Sequence, residues 1–278
     1  MKGCRDKGLD EISAPLDAEE IRRQLGAERL GKKLHYFPEI ESTNNYARNL
    51  AEKGAMEGEV VIAESQTRGK GRLGRSWVSP AKRNLYLSVI LRPKLSPPHA
   101  PQITLMCAVA LAETIQSFIP LPPEIKWPND ILVGGKKVAG ILTESACAAD
   151  RVLFVVLGIG VNVNFPPEEM PESIRETATS LMTLSGAPVD RTALALQLIR
   201  SLDRCYGDLE GLGFPPMAER WSGFFRLQGK RVKVEMMDQV VQGKAIGIDG
   251  DGALLLEDET GTRRRIVAGD VIPLELGR

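Results

Sequence analysis

The 278-residue chain has no net charge and few of the side chains that commonly bind metals or form disulfides. Lysine plus arginine and aspartate plus glutamate number 36 each, so bulk attraction to nucleic acid or to an anionic membrane is not expected. There are two histidines, four cysteines without a C-x-x-C pair, and no apolar run long enough to cross a bilayer. We therefore expect no metal site, no disulfide framework and a cytoplasmic location.

The cysteines give one further expectation. Cys4 lies near the start of the chain, whereas Cys107, Cys147 and Cys205 lie in apolar segments. A cysteine in such a segment is usually a buried thiol that stays reduced. We predict that state for these three.

Three regions differ in composition along the chain. Residues 1–33 are polar, with one short amphipathic helix predicted from Asp17 to Leu25, and are too few to form a domain. Over residues 34–225, strands and helices mix without strict alternation, which predicts an α+β catalytic domain around a mixed sheet. Residues 226–278 are β-rich and punctuated by glycine, which suits a small five-stranded barrel.

Local signals place several elements within the middle region. Ser42 and Thr43 precede a predicted helix that ends near Gly54, and a long helix is predicted over about residues 100–119. Gly134 and Gly135 separate two apolar runs and predict a β-hairpin.

The stretch GKGRLGRSW, residues 69–77, has the G-x-G-x-x-G spacing of a dinucleotide-binding turn but not its context. That turn needs a helix that opens at the third glycine and an acidic residue about 20 positions further on. Here Gly74 leads into a loop, and Lys94 and Leu95 stand where the acidic residue belongs. Neither a protein-kinase motif set nor a G-x-x-x-x-G-K-[ST] loop is present. The dinucleotide interpretation therefore fails.

The same loop is basic and rich in glycine. It contains no acidic residue from Gln66 through Trp77, and its glycines let backbone N–H groups approach phosphate oxygens closely. We predict a mobile loop that folds over a polyanion, with Trp77 against a planar base; the alternative is a solvated surface loop. Its cations are Arg68, Lys70, Arg72 and Arg75.

Four motifs together resemble the biotin protein ligases, also called biotin–[acetyl-CoA-carboxylase] ligases. They are ESTNNYA (41–47), ESQTRGKGRLGRSW (64–77), KWPNDILVGGKKVAGILTE (126–144) and GIGVNVN (158–164). The resemblance runs from about Leu34 to the C-terminus. It implies a catalytic domain with the biotin/lipoate ligase fold, similar to class II aminoacyl-tRNA synthetases, followed by a barrel similar to a Src-homology-3 domain.

The resemblance implies a reaction in two steps. Biotin and MgATP give biotinyl-5′-AMP and pyrophosphate, and a lysine of a biotin carboxyl carrier protein then takes the biotin as an amide. A carboxylate that attacks a phosphate brings two anions together, so cations must offset their repulsion. No enzyme nucleophile is needed, and the sequence shows no G-x-S-x-G or Cys–His pattern.

Matching the motifs position by position assigns roles to individual residues. The catalytic residues implied are Lys70, Arg72 and Lys137, with no metal ligand. The biotin site implied is Ser42, Thr43, Asn44, Gln66, Lys70, Gly71, Arg72, Lys137, Gly140 and Gly160. The ATP or adenylate site implied is Gly69, Arg75, Trp77, Lys126, Asn129, Asp130 and Asn162.

Plainer structural interpretations exist for some of these residues. Ser42 and Thr43 can serve as helix caps alone, Asp130 and Lys137 can form an ion pair across a hairpin, and glycines of the GIGVNVN motif can mark strand bulges. Lys136 and Lys137 point to opposite faces of a strand, so only one of them can enter the site.

Two rival functions remain open. A lipoate or octanoate ligase shares the related fold and an acyl-adenylate, but the basic loop and the C-terminal barrel disfavour it. A non-catalytic biotin sensor would not need Lys137 or the loop. Only some 33 residues precede the region of resemblance, too few for the helix-turn-helix of many bacterial relatives, so we expect no DNA binding. The resemblance also allows a homodimer through a sheet edge.

Overall fold

The larger sheet contains seven strands and is mixed, as the sequence predicts. The computed structural model describes residues 14–26 and 28–274. The strands are β1 (Leu34–Phe37), β2 (Val60–Ala63), β3 (Leu85–Leu91), β4 (Glu124–Lys126), β5 (Asp130–Val133), β6 (Lys136–Cys147) and β7 (Val152–Val161). Their order is β1-β2-β3-β7-β6-β5-β4, and β1 with β2 forms the parallel pair. The other neighbouring pairs are antiparallel.

The helices begin where the sequence places their caps. The carboxylate of Asp17 accepts a hydrogen bond from the Glu20 amide at 2.9 Å, and the Ser42 hydroxyl accepts one from the Asn45 amide at 3.5 Å. The α-helices of the described residues are α1 (Ala18–Leu25), α2 (Thr43–Glu52), α3 (Pro101–Gln116), α4 (Glu172–Arg175), α5 (Leu181–Ser185), α6 (Arg191–Leu212) and α7 (Pro215–Phe224).

Apolar side chains cover both faces of the sheet, but unequally. One face carries α3, α6 and α7 over the main core, and all seven residues of β3 are buried. The other face carries α2 over a small cluster that includes Ala47, Ile90 and Val156. A strand buried on both faces reads as a continuous apolar run, as in β3 and β7. The part of the second face that α2 leaves uncovered lies above β6 and β7.

The C-terminal region has the five strands that the sequence predicts, paired as one antiparallel sheet, and the closure of this sheet into a barrel stays a prediction. Its strands are β8 (Arg231–Glu235), β9 (Val240–Ile248), β10 (Leu254–Glu257), β11 (Arg263–Ile266) and β12 (Asp270–Pro273). Their order is β11-β10-β9-β8-β12. Val234, Leu254 and Val271 join the main core, so this sheet packs against the larger one through apolar contact. The hairpin between β5 and β6 turns at Gly134 and Gly135, both with positive φ, as predicted.

The described part of the N-terminal segment packs against the catalytic region. Leu16, Ile21 and Leu25 are buried in the main core, and α1 contacts α6. These side chains explain why so polar a segment folds onto the protein: its few apolar residues share one face of α1. The domain boundaries at residues 33 and 225 stay predictions.

A buried ion pair between Arg191 and Glu64 links this segment to the residue that follows β2. The guanidinium of Arg191 lies 2.8 Å from the carboxylate of Glu64, with the two side chains 3% and 4% exposed. Arg191 also donates to the Ala14 carbonyl at 2.6 Å, and Glu64 accepts from the Leu16 amide at 2.5 Å. Glu64 lies two residues before Gln66, so the same pair fixes the chain where it enters the predicted site.

We predict that Arg191→Met lowers the free energy of unfolding by about 3 to 5 kcal/mol, because it leaves the Glu64 carboxylate buried without its partner. Urea unfolding followed by circular dichroism measures the change. The control is Arg204→Met, which removes an exposed partner of Glu113 and should cost about 1 kcal/mol or less. Equal losses in the two variants would contradict the proposed importance of the buried pair.

The cysteine prediction holds for two residues and is wrong for one. Cys107 and Cys205 are buried, and burial raises the pKa of both thiols. Cys147 is exposed, because it lies at the last position of β6, beyond the packed part of the sheet. Cys4 lies outside the described residues. No helix of the described part of the chain is long and apolar enough to cross a membrane.

Candidate active site

A cavity lies on the open face of β6 and β7, between the start of α2 and the glycine-rich loop. It is also reached by one residue of the C-terminal sheet, Asp270. Its lining residues are Ser42, Thr43, Asn44, Gln66, Lys70, Gly71, Arg72, Arg75, Ser76, Trp77, Asn129, Asp130, Lys137, Gly140, Ile141, Leu142, Gly158, Ile159, Gly160 and Asp270. The four motifs quoted from the sequence therefore meet at one place.

All but three of the predicted site residues line this cavity. Gly69 lines the adjoining groove on the outer side of the loop. Lys126 lies on the edge strand β4, and Asn162 is 5% exposed and donates to the Thr179 carbonyl at 3.0 Å. The geometry therefore gives no support to ligand contacts by Lys126 and Asn162, which stay predictions. Lys137 enters the cavity and Lys136 is exposed, as strand alternation predicts.

The glycine-rich loop is a hairpin of its own. The Gly71 amide donates to the Arg75 carbonyl at 2.7 Å, and the Trp77 amide donates to the Gly69 carbonyl at 2.9 Å. Gly74 has φ of 74° at the tip, a conformation that glycine adopts without strain. The loop thus carries its cations on a defined turn.

Each cation of the cavity has a carboxylate partner. Lys137 Nζ lies 2.7 Å from Asp130 Oδ1, and Lys70 Nζ lies 4.0 Å from Glu144. Asp270 lies 2.5 Å from Arg75 and 3.5 Å from Arg72. The loop has no acidic residue of its own, but three carboxylates lie beside it in space: Glu41 beside Arg68, Glu144 beside Lys70, and Asp270 beside Arg72 and Arg75. Glu144 and Asp270 come from distant strands and were missed from the sequence.

Arg72 has a further set of contacts that fixes its guanidinium. It donates to the Asn129 side-chain oxygen at 2.9 Å and to the Gly269 carbonyl at 3.5 Å. Asn129 in turn donates to the Ile141 carbonyl at 2.8 Å. The glycine-rich loop, the K-W-P-N-D motif and the C-terminal sheet are therefore joined through one side chain.

The indole of Trp77 leaves no room for a Cβ atom at Gly160 and little room for one at Gly140. A Cβ atom added at Gly160 would lie 2.5 Å from the indole, and one added at Gly140 would lie 3.0 Å from it. Lys137 Nζ lies 5.3 Å from the ring centroid of Trp77, within cation–π range. The indole N–H is buried and has no hydrogen-bond partner among the described residues.

Gly158 is required by the side chain of Asn44. A Cβ atom there would lie 2.0 Å from Asn44 Oδ1, closer than any real contact. The registers of β7 with β3 and β6 run without a shift through Gly158 and Gly160, so the bulge interpretation is wrong for both. Close approach of other groups explains these glycines.

A chain of neutral hydrogen bonds lines the inner end of the cavity. The amide and hydroxyl of Thr43 both donate to the Gln66 side-chain oxygen, at 2.9 and 3.1 Å. The Gln66 NH₂ donates to the Ser79 hydroxyl at 3.0 Å, which leaves its second N–H for a ligand. Ser42 caps α2 and also lines the cavity, so both of its predicted roles are compatible with the geometry.

The chain matches family models and known relatives. A model of the Biotin/lipoate A/B protein ligase family matches residues 36–162, and one of the Biotin protein ligase C terminal domain matches residues 228–272. The bifunctional ligase/repressor BirA of Bacillus subtilis is 37% identical over 100% of this chain and 85% of its own length. The biotin–[acetyl-CoA-carboxylase] ligase of Mycobacterium tuberculosis is 37% identical over 95% of this chain and 98% of its own.

A solved structure gives the same result for the fold. Biotin protein ligase from Aquifex aeolicus in complex with biotin and ATP superposes with a TM-score of 0.74 at 28% identity, covering 87% of this chain and 99% of that one. The match defines an enzyme of the biotin/lipoate ligase class. The chain belongs to the biotin protein ligase family.

We predict that Gly160→Ala displaces the Trp77 indole, because the added methyl group overlaps the ring. Trp127 and Trp221 are buried, so a red shift of tryptophan emission and greater quenching by iodide should report on Trp77. Gly211→Ala is the matched control, since nothing lies within 4 Å of that position. Unchanged emission and quenching in Gly160→Ala would contradict the close packing.

Asp270→Asn should loosen the glycine-rich loop, because it removes the charge that holds two of its arginines. Loss of such a charged contact should raise the open population, and hence tryptic cleavage within residues 68–75, about tenfold. Mass spectrometry of the fragments measures the rate. In the control Asp251→Asn, which loses contact with Arg265 instead, loop cleavage should stay at the wild-type rate. Equal rates in both variants would contradict the anchoring role.

Proposed function

We propose that this chain joins biotin to a lysine of a biotin carboxyl carrier protein, through biotinyl-5′-AMP formed from biotin and MgATP. The observation that carries the proposal is one cavity in which four cations stand beside a neutral set of hydroxyl and amide groups. The cations suit a carboxylate and a triphosphate, and the neutral groups suit an uncharged ureido ring.

In the first step, a carboxylate oxygen of biotin attacks the α-phosphorus of ATP, and the bond to pyrophosphate breaks. Both reactants are anions, so the approach needs positive charge between them. We assign this work to Lys70, Arg72 and Lys137, with Arg75 at the loop tip. Their carboxylate partners hold them in place beforehand, and the incoming anions take over those contacts.

Fixed partners matter because they reduce the reorganisation needed at the moment of reaction. Asp130 lies beside the Lys137 ammonium and holds it at the cavity, and Asn129 together with Asp270 keeps Arg72 in a single orientation. The predicted metal-free protein site is compatible with this arrangement, since Mg²⁺ arrives on ATP as part of the substrate.

In the second step, the ε-amine of the carrier lysine attacks the carbonyl carbon of the mixed anhydride. A carbon–nitrogen bond forms, the carbon–oxygen bond to phosphate breaks, and AMP leaves. No side chain of the protein is acylated. The role of the glycine-rich loop and Trp77 is to keep water from the anhydride until the amine arrives, with Trp77 against the adenine base.

Location, oligomeric state, DNA binding and three of the adenylate contacts have no direct support from the cavity. ATP is plentiful in the cytoplasm, which supports a cytoplasmic location. A homodimer and the lack of DNA binding by this chain stay predictions. The predicted adenylate contacts of Gly69, Lys126 and Asn162 also stay predictions, since these residues lie outside the cavity lining.

A lipoate or octanoate ligase is the second candidate, because the matching family model covers both classes. Two observations favour biotin: the C-terminal domain match at residues 228–272 and the donor and acceptor groups of Asn44 and Gln66 at the inner end of the cavity. An unbranched acyl chain has no use for those groups.

ATP–pyrophosphate exchange by the purified protein with Mg²⁺ tests the adenylating half-reaction. Biotin, lipoate and octanoate are compared at equal concentration. We expect exchange with biotin alone. Exchange with lipoate or octanoate would place the chain in the sister class, and no exchange with any acid would favour a non-catalytic sensor.

We predict that Lys137→Met lowers the maximal exchange rate about 10² to 10³-fold, because one preorganised cation is lost where charge develops. The control is Lys136→Met, the adjacent lysine on the opposite face of β6, which should stay within about twofold of wild type. Thermal unfolding of both variants verifies that the fold is kept. A Lys137→Met enzyme with wild-type exchange would overturn the assignment.

A further inference from the structure

Asn44 lies across three strands at one level of the larger sheet. Ser88 on β3, Gly158 on β7 and Leu142 on β6 are in register with one another. The Asn44 amide covers Gly158, accepts from the Ser88 hydroxyl at 2.7 Å and donates to the Leu142 carbonyl at 3.3 Å. The side chain is 4% exposed, so its orientation is decided by these neighbours.

Glu144 completes the set of contacts around this amide. Its carboxylate lies two residues beyond Leu142 on the same face of β6 and accepts from Asn44 Nδ2 at 2.9 Å. A carboxylate accepts hydrogen bonds and donates none, whereas an asparagine amide has a donor end and an acceptor end of nearly equal shape. Glu144 and the Leu142 carbonyl, which also only accepts, therefore hold the NH₂ end of Asn44 toward β6, and Glu144 is the charged one of the two.

The hydrogen-bond inventory shows what Asn44 has left for a ligand. Both protons of its NH₂ group are used, one by Glu144 and one by the Leu142 carbonyl. The carbonyl oxygen has two lone pairs and receives at most one proton, from Ser88, whose hydroxyl also lies 2.9 Å from Thr43 Oγ1. Asn44 can thus act toward a ligand as an acceptor only. Gln66, by contrast, has a free N–H and acts as a donor.

We infer that Glu144 is a positioning residue for head-group recognition: it fixes Asn44 so that its oxygen accepts a ureido N–H. The paired acceptor and donor of Asn44 and Gln66 then match the N–H and C=O of the ureido group. The inference rests on the proposed function, since it takes the ureido ring of biotin as the ligand of Asn44.

Glu144 has a second neighbour, Lys70, whose Nζ lies at 4.0 Å. If Glu144 acted through the charge of Lys70, Glu144→Gln and Glu144→Met should weaken biotin binding equally. If it acts by orienting Asn44, only Glu144→Met should weaken binding strongly. Glu144→Gln removes the charge but keeps a side-chain oxygen that accepts from Asn44. Glu144→Met keeps the size and removes both.

The experiment is calorimetric titration of biotin into wild-type protein, Glu144→Gln and Glu144→Met. We expect the Gln variant to stay within about threefold of the wild-type Kd and the Met variant to bind about tenfold more weakly or worse, because Asn44 loses its charged partner and is held toward β6 only by the neutral Leu142 carbonyl. Glu41→Met, at an exposed carboxylate paired with Arg68, is the control and should bind biotin normally.

Biotin methylated on one or the other ureido nitrogen gives a readout that a general loss of packing would not move. In wild-type protein one of the two derivatives should lose affinity strongly, because it lacks the N–H that Asn44 accepts. In Glu144→Met that difference between the derivatives should shrink. Glu144→Ala, which also lacks an acceptor, serves if the Met variant does not fold.

Three results would overturn the inference: wild-type affinity in Glu144→Met, equal weakening in Glu144→Gln and Glu144→Met, or an unchanged difference between the methylated derivatives. Failure of the proposed function is distinguishable from these. It would appear as no binding of biotin by the wild-type protein.

Discussion

The structure depends on positive charges that are held close together by carboxylates before any substrate arrives. Lys70, Arg72, Arg75 and Lys137 would repel one another in a partly buried cavity if each stood alone. Glu144, Asp130 and Asp270 compensate them, and each comes from a different strand. The pairing of Arg72 and Arg75 with Asp270 therefore requires both sheets to be folded and packed together.

A second constraint is the close approach of the Asn44 and Trp77 side chains to the strand that forms the floor of the cavity. β7 is in the middle of the larger sheet, and its two glycines leave room for the side chains of Asn44 and Trp77 to lie against the backbone. A larger residue at Gly158 or Gly160 would keep the strand intact and displace the groups above it. The sheet thus supplies a flat, rigid surface, and the polar recognition groups come from α2 and the loops around it.

Local patterns predicted several elements of the fold, and the family resemblance implied most of the residues that line the cavity. The Asp17 and Ser42 caps and the hairpin at Gly134 and Gly135 follow from rules that act over a few residues. Strand alternation predicted that only one of Lys136 and Lys137 enters the site, and the motif match selected Lys137. Sequence spacing alone could not show that Asp270 lies on Arg75, 195 residues away, or that Glu144 lies on Asn44. Those contacts depend on sheet order and domain packing, and a lone Asp or Glu on a strand gives no local signal. The prediction that Cys147 is buried was wrong for a similar reason, because the end of β6 extends past the packed core.

Mass spectrometry of a biotin carboxyl carrier protein incubated with this enzyme, MgATP and an equal mixture of biotin, lipoate and octanoate tests the central claim most directly. It observes both steps and the choice of acid in one product. We expect the carrier to gain one biotinyl group on a single lysine, with one AMP formed for each group transferred and no gain without ATP. A carrier that stays unmodified, or that gains a lipoyl or octanoyl group instead, would contradict it.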